Sequence, residues 1–181
     1  MNSIQNPLRI AWIEDGPPRW PRRLGLTIAP GKKGQGHELR HDRDLTTDLG
    51  YLKEQGVTLL VNLMEQDEMQ RWHMDDYHAE AARLGLNIRH HPIADVKTPT
   101  DDAVFHALVQ DLRDRLHHGE TIVVHCLGGL GRSGMLAACL LVQSGLNAHD
   151  AIALVRHCRS PRAVEADQPR YVETYARTHT C

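Results

Sequence analysis

Apolar residues in this chain follow two rhythms, and from Asp44 onward the rhythms alternate. In DLTTDLGYLKEQG they recur three or four positions apart, at Leu45, Leu49 and Leu52, with Asp44 ahead as a cap and Gly56 behind as a stop, which predicts a helix. VTLLVNL, residues 57–63, is an unbroken apolar run and reads as a buried strand. MDDYHAEAARLG is the next helix, ending at Gly85, and LNIRHHPI the next strand. TPTDDAVFHALVQDLRDRLHHG predicts a longer helix, with Val104, Leu108, Leu112 and Leu116 as its apolar stripe, Thr100 as its cap and Gly119 as its end. ETIVVHC is a third strand of this series. RSGMLAACLLVQSG, NAHDAIALVRHCR and ADQPRYVETYART are three closing helices. The first forty residues differ: RIAWI and LGLTIA read as short strands, while PPRWPRR and APGKKGQG read as turns with a basic bias.

Strands separated by helices of this length imply right-handed crossovers and a mainly parallel sheet covered on both faces. The expected fold class is therefore α/β, in one domain spanning residues 1–181, with 1–40 as accessory strands and turns and 41–178 as the core. The 181-residue length suits one such core better than two.

Charge changes the picture by subtraction. A formal net charge of −2 leaves no global attraction to nucleic acid or to an anionic membrane, so any anion site has to be local. The N-terminus MNSIQNPLRIAWIEDG has neither a signal-peptide core nor an apolar span, and we expect a cytoplasmic protein that engages no membrane. Cys126, Cys139, Cys158 and Cys181 show no CxxC pairing, and the thirteen histidines show no HExxH arrangement, so no metal site or cofactor is expected. Cys139, in an apolar helix, reads as a small buried hydrophobe, and Cys158 and Cys181 likewise. Trp12, Trp20 and Trp72 read as packing residues.

Chemistry concentrates in HCLGGLGRSG, residues 125–134, which joins the strand ETIVVHC to the helix that follows it. Open α/β sheets place ligands at this end of their strands. Gly128, Gly129 and Gly131 free the backbone so that the amides of Leu127, Gly128, Gly129, Leu130, Gly131 and Arg132 can converge on one anion at the positive end of the helix. The planar fork of Arg132 holds two anion oxygens at once. The same positive field favours the thiolate of Cys126, since cysteines in such surroundings have pKa values of about 3.5–7.5. Ser133 is placed to hydrogen-bond that sulfur, and His125 to order the loop from beneath.

These residues resemble the signature loop of the cysteine-dependent protein phosphatases, specifically the dual-specificity group, and GGLGRS is similar to the kinase-associated phosphatase branch. The resemblance covers about residues 40–175. It implies metal-free hydrolysis of phosphotyrosine, with phosphoserine and phosphothreonine as further substrates, through a phosphocysteine. It also implies a phosphorylated protein as partner, no nucleic-acid partner, and a monomer. Such an enzyme needs a general acid on a loop after an earlier strand, and Asp95 in HHPIADVKTPT fits, with Asp101 and Asp102 reading better as first-turn helix residues. The resemblance points to Gln168 for orienting the hydrolytic water, against the alternative of an exposed residue beside Pro169. Arg159 and Arg162 stay open between solvated charges and substrate contacts. Glu65, Asp67 and Glu68 read as a solvated helix start, with an approach to the pocket rim as the alternative.

Three other functions share the loop. A phosphatase of a small metabolite or phosphoinositide is disfavoured by Leu127 and Leu130, where the lipid enzymes commonly carry lysines. A phosphoprotein-binding pseudophosphatase is disfavoured by intact Cys126, Arg132 and Asp95. Redox chemistry would need a second cysteine placed to resolve the first. The single Phe offers little for an aromatic wall around phosphotyrosine.

Overall fold

The computed structural model describes residues 1–14, 23–36 and 39–179. Trp20, Cys181 and most of PPRWPRR lie outside them. In chain order the elements are β1 (Ala11–Trp12), β2 (Leu24–Thr27), β3 (Lys33–Gln35), β4 (Arg40–Asp42), α1 (Leu45–Glu54), β5 (Leu59–Asn62), α2 (Gln66–Arg71), α3 (Tyr77–Arg83), β6 (Asn87–His90), α4 (Asp102–His117), β7 (Ile122–His125), α5 (Gly131–Gln143), α6 (Ala148–Cys158) and α7 (Gln168–His179).

The main sheet runs β1-β2-β7-β5-β6, parallel throughout except for β1, which pairs antiparallel with β2. The α/β fold with helices on both faces is thus present, and β2 from the N-terminal segment sits inside the sheet beside β7. Alternation along the central strands splits the core. Ile122 and Val124 of β7 join Leu59 and Val61 of β5 on the α4–α7 side, while Val123 and Leu60 face α1 and α3. Helix α5 packs against α4, α6 and α7, and residues 131–142 are buried all round, which explains the Ala- and Leu-rich stretch.

Two expectations for α4 are corrected. Its cap is Asp101, whose carboxylate accepts the Val104 amide at 3.0 Å, rather than Thr100. Val104 is 53% exposed, and the buried stripe is Phe105, Leu108, Val109, Leu112 and Leu116. A strict i+4 series drifts about 40° per step around a helix, so by Val104 it has left the face that Leu116 occupies.

The hairpin β3–β4 falls where only turns were expected, and α2 is the helix whose start was read at Glu65, Asp67 and Glu68. Both flank the C-terminal edge of the sheet, where Thr27, Asn62 and His125 stand in register on β2, β5 and β7, all fully buried. A buried polar row at that edge supports the loop above it.

Candidate active site

The loop from Cys126 to Gly131 leaves β7 and enters α5, and its carbonyls are engaged on its outer side. Leu127 O accepts from the Ala29 amide at 3.2 Å and from Lys32 Nζ at 3.1 Å. Gly128 O and Gly129 O accept from Arg159 Nη2 and Nε at 3.1 and 2.9 Å. Leu130 O accepts from the Gly134 and Val164 amides at 3.1 and 3.3 Å. In a planar trans peptide the carbonyl of one residue and the amide of the next point in opposite directions. Carbonyls held outward therefore turn the amides of Gly128, Gly129, Leu130 and Gly131 inward, toward the space beside Cys126.

The glycines divide this work unequally. Only Gly129 has left-handed backbone, at φ +63°, and a Cβ there would lie 2.1 Å from Thr27 O. Gly128 has open space around its Cα, and neither it nor Gly131 needs a positive φ, which corrects the expectation that all three free the backbone. At Gly131 a Cβ would meet Glu165 Oε1 at 2.4 Å and Gln168 Oε1 at 3.1 Å. The crowding there comes from side chains of the overlying 163–168 segment.

Cys126 is buried, with Sγ 3.5 Å from Ser133 Oγ. His125 is fully buried beneath the loop, its Nδ1 3.3 Å from Cys126 O and its Nε2 2.6 Å from the Tyr77 hydroxyl. Burial pushes the imidazole down to about 3 and raises the Tyr77 phenol, so His125 is neutral and bridges the loop to α3.

Arg132 is 1% exposed and is fixed on one side by Glu68, whose carboxylate takes Nη1 and Nη2 at 2.7 and 2.8 Å. Ile93 O takes Nη1 at 2.9 Å, and Asp95 Oδ1 takes Nη2 at 2.8 Å. Nε is buried without a partner among the described residues. Burial opposes this charge, but the Glu68 bond, the Cys126 sulfur and Asp95 outweigh it and raise the guanidinium pKa further. Glu68 is thus a buried partner of the loop arginine rather than a solvated helix-start residue. Its only sequence signal is the three-residue spacing from Glu65, whose amide it accepts at 3.4 Å.

Asp95 is placed beside Arg132 with its side chain 57% exposed, and the next residue, Val96, has φ +60°. The competing carboxylates are occupied elsewhere: Asp101 caps α4, and Asp102 accepts the Tyr171 hydroxyl at 2.9 Å. Gln168 is fully buried at the start of α7, which removes the alternative of an exposed residue. Its Oε1 accepts the Glu165 amide at 3.0 Å and its Nε2 donates to Lys97 O at 3.2 Å, so it ties the 163–168 segment to the Asp95 loop. Arg159 braces the loop as described, and Arg162 lines the cleft. Cys139 is buried in α5, where burial raises its thiol pKa well above the usual range, as for a packed small side chain.

Cys126, Arg132 and Asp95 share one cleft of about 450 Å³ with Lys32, His41 and Trp72. Trp72 corrects two expectations. It is a cleft wall as well as a packing residue, and it gives the cleft the aromatic surface that the single Phe could not. Among the described residues no group of three His, Cys, Asp or Glu side chains is placed to hold a metal ion, and no helix is long and apolar enough to cross a membrane.

A family model described as "Polymorphic toxin system, DSP-PTPase phosphatase" matches residues 35–146. Cyclin-dependent kinase inhibitor 3 of Homo sapiens is 29% identical over 163 residues, covering 89% of this chain and 74% of that protein. Dual specificity protein phosphatase CDC14C of Homo sapiens is 29% identical over 165 residues, covering 88% of this chain and 33% of that protein. Among solved structures, kinase associated phosphatase (KAP) with its catalytic-site cysteine replaced by serine superposes with a TM-score of 0.83 at 27% identity, over 97% of this chain and 99% of that one.

Proposed function

Because the chain belongs to the DSP-PTPase phosphatase family and is a cysteine-dependent protein phosphatase, a class that needs no metal, we propose that it hydrolyses phosphotyrosine, and also phosphothreonine and phosphoserine, through a phosphocysteine on Cys126. The observation that carries this reading is the meeting of Cys126, Arg132 and Asp95 in one cleft, with Arg132 Nη2 2.8 Å from Asp95.

In the first step the Cys126 thiolate attacks phosphorus in line with the leaving oxygen, forming the S–P bond as the P–O bond breaks. The inward amides of Gly128 to Gly131, with those of Leu127 and Arg132, receive the equatorial oxygens together with the Arg132 guanidinium, so developing charge meets donors already in place. Arg132 has an unpartnered Nε for this, and Nη2 becomes available when phosphate replaces Asp95 as its acceptor. Asp95, released from Arg132, takes up a proton from solvent and passes it to the leaving oxygen. In the second step water attacks the phosphocysteine, its proton passes to Asp95, and the S–P electrons return to sulfur with Ser133 donating to the departing thiolate. Gln168 orients that water from above Gly131, and His125 stays neutral beneath the loop.

Leu127 and Leu130 in the loop favour a phosphoprotein over a highly charged lipid headgroup, and Trp72 favours an aryl phosphate. The test is metal-free hydrolysis of p-nitrophenyl phosphate by wild type, Cys126→Ser and Asp95→Asn, followed by a phosphotyrosyl and phosphothreonyl peptide panel. Activity that survives in Cys126→Ser, or that requires a divalent metal, contradicts the reading.

A further inference from the structure

Lys32 is a buried cation of the cleft to which the mechanism above gives no part. It lies just ahead of β3, 95 residues before Leu127, and is 5% exposed. A buried lysine needs acceptors for its charge. Among the described residues, Nζ donates to Leu127 O at 3.1 Å and stands 5.5 Å from the centroid of the Trp72 ring, within reach of a cation–π contact. The hairpin holds it there: Lys32 O accepts the Arg43 amide at 3.2 Å, and the Lys33 amide donates to Trp72 O at 2.9 Å. Arg43 is itself buried in a bidentate pair with Asp48, whose Oδ2 also accepts the Gly31 amide at 2.9 Å. The backbone on both sides of Lys32 is therefore fixed, and from it the side chain reaches the Leu127 carbonyl.

We propose that Lys32 is a positioning residue of the phosphate site: its ammonium holds the Leu127 carbonyl outward, so that the following amide turns toward phosphate, and its charge adds to the field at the Cys126 sulfur. The proposal rests on the phosphocysteine reading above. The charged and titratable groups around Lys32 are Cys126 on the loop, Arg159 after α6, Arg43 before α1 and His41 on β4, with Arg132, Asp95, Arg162 and Glu165 across the cleft. Burial first, then Arg43 and Arg159, push the ammonium down to about 8 against the opposing pull of Cys126. The device is then mostly charged at neutral pH and discharges in mild alkali.

The experiment measures competitive inhibition by sulfate, whose charge is constant over this range, from about pH 6 to about pH 9.5, with p-nitrophenyl phosphate kcat/KM beside it, for wild type, Lys32→Met and Lys32→Arg. Wild type is expected to lose about tenfold in sulfate affinity through a transition near pH 8. Lys32→Met is expected to bind sulfate about tenfold more weakly at every pH with no such transition, and to show kcat/KM about tenfold lower at neutral pH. Lys32→Arg, which stays charged, is expected to keep the affinity at high pH. An alkaline transition that persists in Lys32→Met, or Lys32→Met matching wild type within twofold, overturns the proposal. If neither variant folds, the wild-type titration decides, since a flat sulfate profile overturns it alone. A wild type without phosphatase activity is a different result and removes the phosphocysteine reading itself.

Discussion

Two loops meet at Arg132 and are built in opposite ways. The loop from Cys126 to Gly131 is held from every side: Ala29, Lys32, Arg159, Val164 and Gly134 take its carbonyls, and His125 and Tyr77 stand beneath it. The loop carrying Asp95 is exposed, bends through a left-handed valine, and has its carboxylate anchored to Arg132. Anion binding needs donors whose geometry costs no rearrangement during reaction, whereas an acid that serves two half-reactions has to be released and recaptured. The rigid loop and the loosely held one are each matched to their task.

The comparison is broken most severely by removing the nucleophile. Cys126→Ser leaves the rigid loop in place, and kcat is expected to fall by at least about 10⁴-fold while sulfate still binds, as inhibition of ligand binding or calorimetry will show. Asp95→Asn disables the acid of the exposed loop. The expected loss is about 10²–10³-fold for phosphothreonyl peptides, whose alkoxide needs protonation, and visibly less for p-nitrophenyl phosphate, read as the ratio of kcat/KM values. Glu68→Gln loosens the arginine that both loops share. It is expected to lower kcat by about ten- to a hundredfold and to lower the melting temperature, because removing one partner of a buried pair leaves the other charge uncompensated.

Acid sharpens the contrast through His125. Its folded pKa, about 3, lies below the ordinary value of 6.5, so between these limits the unfolded chain binds a proton that the native state does not. Stability therefore rises with pH across this window and falls on acidification, at up to about 1.4 kcal/mol per pH unit from this group. Denaturant titrations between about pH 6.5 and about pH 4 check the slope, which His125→Gln is expected to flatten. The smallest effect is at Val96. Glycine suits φ +60° better than a β-branched residue, so Val96→Gly is expected to gain about 1 kcal/mol in unfolding free energy with kcat/KM for p-nitrophenyl phosphate within about threefold of wild type.

The same two loops show what was legible in the sequence. HCLGGLGRSG is contiguous, and its residue types, its strand ahead and its helix behind all lie within a few positions, so the cradle and the α/β frame could be read locally. Its supports could not. Glu68 is 64 residues from Arg132, Tyr77 is 48 from His125 and Lys32 is 95 from Leu127, and nothing in the local rhythm around those partners announces the contact. Glu68 in particular looks like an ordinary first-turn acid until the fold brings α2 over α5. Gly131 repeats the lesson: the side chains that crowd it belong to Glu165 and Gln168, which only the tertiary structure brings close. Thr100 lost the cap to Asp101, its neighbour one residue on, a boundary that local pattern resolves poorly.

The central claim is a covalent one, that phosphate passes through the sulfur of Cys126. Rapid acid quenching of Asp95→Asn during turnover of an aryl phosphate, followed by peptide mass spectrometry, tests it directly. The account predicts one phosphoryl group on the peptide containing Cys126, absent from Cys126→Ser. Turnover with no phosphorylated peptide, or a phosphoryl group on any other residue, would contradict it.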